Sequence, residues 1–131
     1  MDMRIELVMV PVTDIDRARD FYASLGWNVD HYIVVDESTR FVQITPPGSA
    51  CSIAFGRGIA ETEPGSLRGI QLVIADADAA LALLREKNVD ADGVEDLAWG
   101  RFVTFRDPDG NEYTLQQLPD YSANSANRPQ G

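Results

Sequence analysis

The stretch Val12-Thr13-Asp14-Ile15-Asp16-Arg17-Ala18 returns 62 residues later as Ile74-Ala75-Asp76-Ala77-Asp78-Ala79-Ala80. Phe21-Tyr22 falls on Leu83-Leu84 at the same shift. Phe41-Val42 falls on Phe102-Val103 after a one-residue adjustment, Pro47-Gly48 near Pro108 and Gly110, and Ser52-Ile53 on Thr114-Leu115. A chance match would not keep its order over a whole module. Whatever the first half folds into, the second half must therefore fold into again.

Each half reads β-α-β-β-β. Ile5 to Val12 is an apolar, branched run with strand character. Asp14 offers a helix N-cap, and Ile15, Ala18, Phe21, Tyr22 and Leu25 keep helical spacing up to Gly26, which is placed to end the helix. Asn28 to Val35, Arg40 to Thr45 and Ala50 to Phe55 are strand-like, with Pro46-Pro47-Gly48 as a turn. Gly56 to Ser66 has a linker composition. The order then restarts with a strand at Gly69 to Ile74, a helix at Ala77 to Lys87, and strands at Arg101 to Arg106 and Glu112 to Leu118 around the turn Asp107-Pro108-Asp109-Gly110. The repeat also requires a strand near Val89 to Leu97, which composition signals only weakly. The fold class is α+β: two βαβββ modules, residues 4–56 and 67–118, forming one domain over 1–118. From Pro119 the chain turns to repeated Ser, Asn and Pro, and a disordered tail is expected over 119–131. One module alone exposes one face of its sheet, so the two curved mixed sheets are expected to close as half-barrels around a cavity.

Composition excludes some partners. A formal net charge of −10 repels phosphate backbones, so nucleic acid is not expected. No apolar stretch approaches the roughly 20 residues that span a bilayer, so no membrane association is expected. Cys51 is the only cysteine, which precludes an intrachain disulfide and fits a reducing cytoplasm. Met1-Asp2-Met3-Arg4 is followed by a short apolar run broken by Glu6, unlike a secretory leader, and a cytoplasmic location is expected.

The run Val10-Pro11-Val12-Thr13-Asp14-Ile15-Asp16-Arg17-Ala18-Arg19-Asp20-Phe21-Tyr22 resembles the opening strand and helix of the vicinal oxygen chelate superfamily. That superfamily comprises glyoxalase I, the extradiol dioxygenases and the bleomycin and fosfomycin resistance proteins. Phe41 to Ser49 resembles the third strand and turn of its first module, and Asp107-Pro108-Asp109-Gly110-Asn111 the turn before its last strand. The resemblance covers about residues 4 to 118.

It implies where a metal would be held. In the metal-dependent members each module supplies one His, Glu or Gln from the first strand, seven residues before the capping Asp. A second comes from the last strand, four residues after the turn glycine. Those positions here are Leu7 and Gly69 on the first strands, and Ser52 and Thr114 on the last, with Ala54 in place of Ser52 if the register differs by two. Leucine and glycine side chains have no lone pair, and neutral hydroxyls are poor ligands by themselves. The expectation is no metal and no cofactor. Glu6 neighbours Leu7 but points to the opposite face.

Alternation places Leu7, Met9, Gln71, Thr114 and Gln116 on the cavity-facing side, with Gln43 beside them. Gln71 and Gln116 either bind ligand or satisfy a neighbouring backbone group. Trp99 either stacks on a planar ligand or packs over the sheet edge, and Arg101 either pairs with an anionic group or is solvated. Tyr22 and Trp27 are read as core or dimer contacts, Cys51 as an apolar filler, Asp14 and Asp76 as caps, and Asp107 and Asp109 as turn formers. No nucleophile elbow, phosphate-binding glycine loop or His-Asp set is present. Catalysis, if there is any, falls to His31, Tyr32 or Glu112 as acid or base. The reading that follows is a metal-independent small-molecule binder of the drug-sequestering kind, with a homodimer as the expected assembly. The alternative is a metal-free lyase, isomerase or cyclase acting on a natural product, and less favoured is a glyoxalase I-like lyase or dioxygenase with atypical ligands.

Overall fold

The computed structural model describes residues 1–57 and 62–119. The expected tail, apart from Pro119, and four residues of the expected linker lie outside the described residues. The elements run β1 (Leu7–Met9), α1 (Ile15–Ser24), β2 (Asn28–Asp36), β3 (Thr39–Thr45), β4 (Ser52–Arg57), β5 (Ile70–Ile74), α2 (Ala77–Glu86), β6 (Ala91–Leu97), β7 (Gly100–Arg106) and β8 (Glu112–Gln117). They form two four-stranded mixed sheets, ordered β1-β4-β3-β2 and β5-β8-β7-β6. In each, the first strand runs parallel to the last. The α+β class and the duplicated βαβββ order are as the sequence predicts, including the weakly signalled strand β6.

The two helices begin alike. Asp14 accepts a hydrogen bond from the Arg17 amide at 3.0 Å, and Asp76 one from the Ala79 amide at 3.1 Å. They also end alike. The Trp27 amide donates to the Tyr22 carbonyl and the Val89 amide to the Leu84 carbonyl, the same pair 62 residues on. Gly26 and Asn88 take the left-handed backbone (φ +87° and +58°) that releases the chain after each helix. β1 is much shorter than the apolar run containing it. Its ladder with β4 runs from Leu7 to Met9, the Val10 amide adds one bond to Ala54, and Pro11 then has no N–H to continue it.

The chain divides into two compact units. The first holds residues 1–68 together with the turn segment 106–112; the second holds 69–105 and the chain from 113 onward. In the first, α1 covers one face of its sheet. Tyr22 is fully buried, with its ring 5.1 Å from Trp27 and 5.9 Å from Phe55, above Val42, Ile44 and Ile53. The turn segment is fastened to this core. Asp107, 5% exposed, accepts from the Tyr22 hydroxyl at 2.7 Å and from the Asn111 amide group at 2.8 Å. Asn111 also donates to the Pro11 carbonyl and accepts from the Leu67 amide, and Asp109 accepts from the Thr13 hydroxyl at 2.7 Å. In the second unit, Ala77, Leu81 and Leu84 are the buried residues of α2, and Phe105 stacks on Tyr113 at 5.1 Å. Among the described residues no helix is long and apolar enough to cross a membrane.

Candidate functional site

Strand register sorts each sheet into a helix-covered and a helix-free face. In the first unit Leu7 stands beside Ser52, Met9 beside Ala54, Ala54 beside Gln43, and Gln43 beside His31. These residues, with Phe41, Thr45 and Ile33, form the helix-free face. In the second unit Gln71 stands beside Thr114 and Val73 beside Gln116 on the corresponding face. The predicted set Leu7, Met9, Gln43, Gln71, Thr114 and Gln116 therefore lies on helix-free faces, divided between the two sheets.

The register also corrects a count. Leu7 and Met9 correspond to Gly69 and Gln71 at a shift of 62, but Met9 faces Ala54 whereas Gln71 faces Thr114. The counterpart of Thr114 is thus Ala54, not Ser52. Three residues, Ser49 to Cys51, separate Gly48 from β4, while only Asn111 separates Gly110 from β8. Counting four residues from Gly48 therefore falls short of the Thr114 counterpart by that difference.

These positions do not fit a divalent metal. Leu7, Ala54 and Gly69 carry no donor atom. Ser52 and Thr114 carry neutral hydroxyls, and the Ser52 hydroxyl is already engaged by Thr45 at 2.6 Å. Among the described residues no group of three His, Cys, Asp or Glu side chains gathers to hold an ion.

Each helix-free face instead carries a hydrogen-bonded polar cluster. In the second unit, Gln71 donates to the Gln116 side-chain oxygen, and Gln116 donates to the Trp99 carbonyl at 2.9 Å. Gln116 thus satisfies a backbone group and orients Gln71. Gly100 makes the approach possible: at φ +153°, a Cβ there would stand 2.8 Å from the Gln117 carbonyl and 3.2 Å from the Gln116 amide. Trp99 is 59% exposed. In the first unit, Asp30 accepts from Asn28 and from Thr45, Thr45 contacts Ser52, and Gln43 lies 3.4 Å from the Ser52 hydroxyl. The Thr45 bond, with help from Asn28 and nearby His31, holds the Asp30 carboxyl below the usual aspartate range.

Sequence reasoning missed Asp30. It is the extra residue of a bulge in β2, between Val29 and His31, and so escapes strict alternation.

The remaining predicted residues are engaged elsewhere. Arg101 lies on the α2 side, bonded to Asp78 at 2.7 Å and Asp96 at 2.6 Å, so it is not on the helix-free face. Tyr32 is on the α1 side, donating to Asp16 at 2.7 Å, with Arg40 at 3.2 Å and the Arg19 guanidinium 5.2 Å from its ring centre. Glu112 pairs with Arg106 at 3.1 Å and Arg68 at 3.8 Å. Of the three acid-base candidates, His31 and Glu112 share the parity of the helix-free faces; His31 is exposed, whereas Glu112 is held by its two arginines.

The family model described as Glyoxalase/Bleomycin resistance protein/Dioxygenase superfamily matches residues 4–115. No curated protein matches the chain. Among solved structures, TnmS3, an antibiotic binding protein from Streptomyces sp. CB03234, is 35% identical over 90% of this chain and 98% of that one, with a TM-score of 0.82. A glyoxalase/bleomycin resistance protein from the same Streptomyces strain is 36% identical over 87% and 100%, with a TM-score of 0.77. A member of the superfamily from Sphaerobacter thermophilus DSM 20745 is 32% identical over 88% and 98%, with a TM-score of 0.79.

Proposed function

Since the chain belongs to the glyoxalase/bleomycin resistance protein/dioxygenase superfamily, we propose that it is a metal-independent small-molecule-binding protein that sequesters a drug or natural product. One observation carries this reading. The strand positions at which the superfamily's metal-dependent members place ligands hold Leu7, Ala54, Gly69 and Thr114, and the faces around them are apolar with a few oriented amides and hydroxyls. Such a surface favours an organic molecule with an apolar body and a few polar groups. The similarity to an antibiotic binding protein supports it. Sequestration needs affinity and no reacting group, so it tolerates the loss of a metal.

The proposed ligand-facing residues are Leu7, Met9, Gln43, Gln71, Thr114 and Gln116, with Trp99 as an aromatic neighbour. Arg101, Tyr32 and Glu112 are left out because their polar groups are engaged by neighbouring charges. The assembly proposed is a homodimer in the cytoplasm. Exposure of Ile33, Val34 and Val35 on β2, at the edge of its sheet, supports the dimer, and the lone cysteine supports the location.

The test is incubation with bleomycin and a panel of aromatic natural products, followed by mass spectrometry of protein and small molecules. The expected result is a compound retained by the native protein and released chemically unchanged. Turnover of any retained compound would replace sequestration by a metal-free lyase, isomerase or cyclase, with His31 as the first residue to substitute. Metal-dependent turnover of the methylglyoxal–glutathione adduct or of a catechol would overturn metal independence.

A further inference from the structure

We propose that the helix-free face of the first sheet presents an oriented acceptor, the Gln43 side-chain oxygen, which takes a hydrogen bond from a hydroxyl or N–H group on an otherwise apolar ligand, and that Ser52, Thr45 and Asp30 are the positioning residues behind it. This deepens the small-molecule-binding reading and rests on it.

Counting protons fixes the orientation. The Asp30 carboxylate only accepts. Thr45 has one hydroxyl proton, and it goes to Asp30. The Thr45 and Ser52 hydroxyl oxygens are 2.6 Å apart, so with the Thr45 proton spent, Ser52 is the donor between them. Ser52 then has only lone pairs left for Gln43, 3.4 Å away, which must turn its nitrogen inward. A flipped amide would set two acceptors face to face. The Gln43 oxygen is left pointing away from the relay, and no described residue donates to it. Among the described residues no buried side-chain nitrogen or oxygen lacks a partner, so this unpartnered oxygen is not fully buried. Leu7, Met9, Ala54, Phe41 and Ile33 on the same face supply an apolar surround.

Two further observations show that the fold does not require this relay. Asp30 reaches Thr45 from a β-bulge, a local irregularity that re-aims a side chain at some cost to the ladder. The second module has no such chain. Its residues equivalent to Gln43, Thr45 and Ser52 are Thr104, Arg106 and Glu112, and Arg106 and Glu112 form an ion pair instead.

The experiment is an NMR titration of 15N-labelled protein with 1-naphthol and with 1-methoxynaphthalene, which share a ring system and differ in the donor. The Gln43 side-chain resonances are assigned with Gln43→Met. The expected result is about three- to tenfold tighter binding of 1-naphthol, the yield of one hydrogen bond, with the Gln43 amide signals moving only for that probe. Thr45→Val should bring the preference of 1-naphthol over 1-methoxynaphthalene close to unity, and Thr45→Ser should retain it. Ser52→Ala is read like Thr45→Val should that variant not fold. Equal affinity of the wild type for both probes overturns the acceptor alone. An undiminished preference in Thr45→Val and Ser52→Ala overturns the relay. Binding of neither probe overturns both the acceptor and the small-molecule reading beneath it.

Discussion

Asp107 is a buried carboxylate whose oxygens are fully supplied with donors: the Tyr22 hydroxyl, the Asn111 side chain, and the Asp109 and Asn111 amides. Removing the Tyr22 hydroxyl takes one donor from a carboxylate that is largely shielded from water. Tyr22→Phe is therefore expected to destabilise the protein by about 1–3 kcal/mol, read as a lower denaturant midpoint at unchanged slope. An exposed carboxylate behaves differently. Arg101 holds the Asp78 carboxyl below its ordinary value. A depressed folded-state value means that this stabilisation is present above the unfolded value, near 3.9, and is lost as pH falls through the lower folded one. Wild type should lose stability on acidification below about pH 4 more steeply than Asp78→Asn, checked by thermal melts across that range. Both residues were legible only in part. DPDGN reads locally as a turn, and it is one, but the contacts of Asp107 with Tyr22 and of Asp109 with Thr13 span 85 and 96 residues. Nothing in a local pattern announces such partners. The face of Arg101 depends on the register of β7, which the neighbouring Trp99 and Gly100 give no means of fixing.

Helices carried the duplication faithfully, and strands less so. The shift between modules is 62 residues at the helices, 61 at the third strands, where Thr39 answers to Gly100, and 60 at the last, where Ser52 answers to Glu112. A helix is fixed by its own caps and periodicity. A strand is fixed by its partner and by hairpin length, so loop differences accumulate along the module. This is why Ile5 to Val12 read as one long strand when only Leu7 to Met9 pair, and why Ser52 and Ala54 were not separable before the register was known. The helix ends supply a test of the equivalence itself. Asn88 stands where Gly26 stands, both with positive φ. Asn88→Ala should lose about 1 kcal/mol through left-handed strain, whereas Asn88→Gly should be neutral or slightly stabilising, measured by equilibrium unfolding. Equal losses in the two variants would remove backbone conformation as the cause.

For the molecule as a whole, the family resemblance and the chemistry of the faces point in different directions, and the difference is measurable. A superfamily known for divalent-metal enzymes sets one expectation. A site that holds such an ion only in the folded state would raise stability by RT ln(1 + [M]/Kd), about 2.7 kcal/mol at a hundredfold excess over Kd, or several degrees in melting temperature. Leu7, Ala54, Gly69 and Thr114 set the other, because three bring no donor atom and the fourth only a hydroxyl. Added Ni, Zn, Mn or Fe(II) at millimolar concentration should shift the melting temperature by less than about 1 °C, whereas a sequestered organic ligand, which binds only the native faces, should shift it in proportion to the logarithm of its own concentration. A metal shift of several degrees, abolished by Thr114→Val but not by surface Asp or Glu substitutions, would return the chain to the metal-dependent side of its family. A shift abolished only by the surface substitutions would reflect the net charge of −10 gathering cations non-specifically. The two modules add force to the prediction because they are separate witnesses. Each sheet independently pairs its first strand with its last in parallel, and the ligand positions hold Leu7 and Ala54 in one and Gly69 and the Thr114 hydroxyl in the other. Losing one ligand would be consistent with a weakened metal enzyme. With no donor on either first strand and one hydroxyl between the two last strands, a metal shift would have to arise elsewhere, and the Thr114→Val comparison separates the two cases.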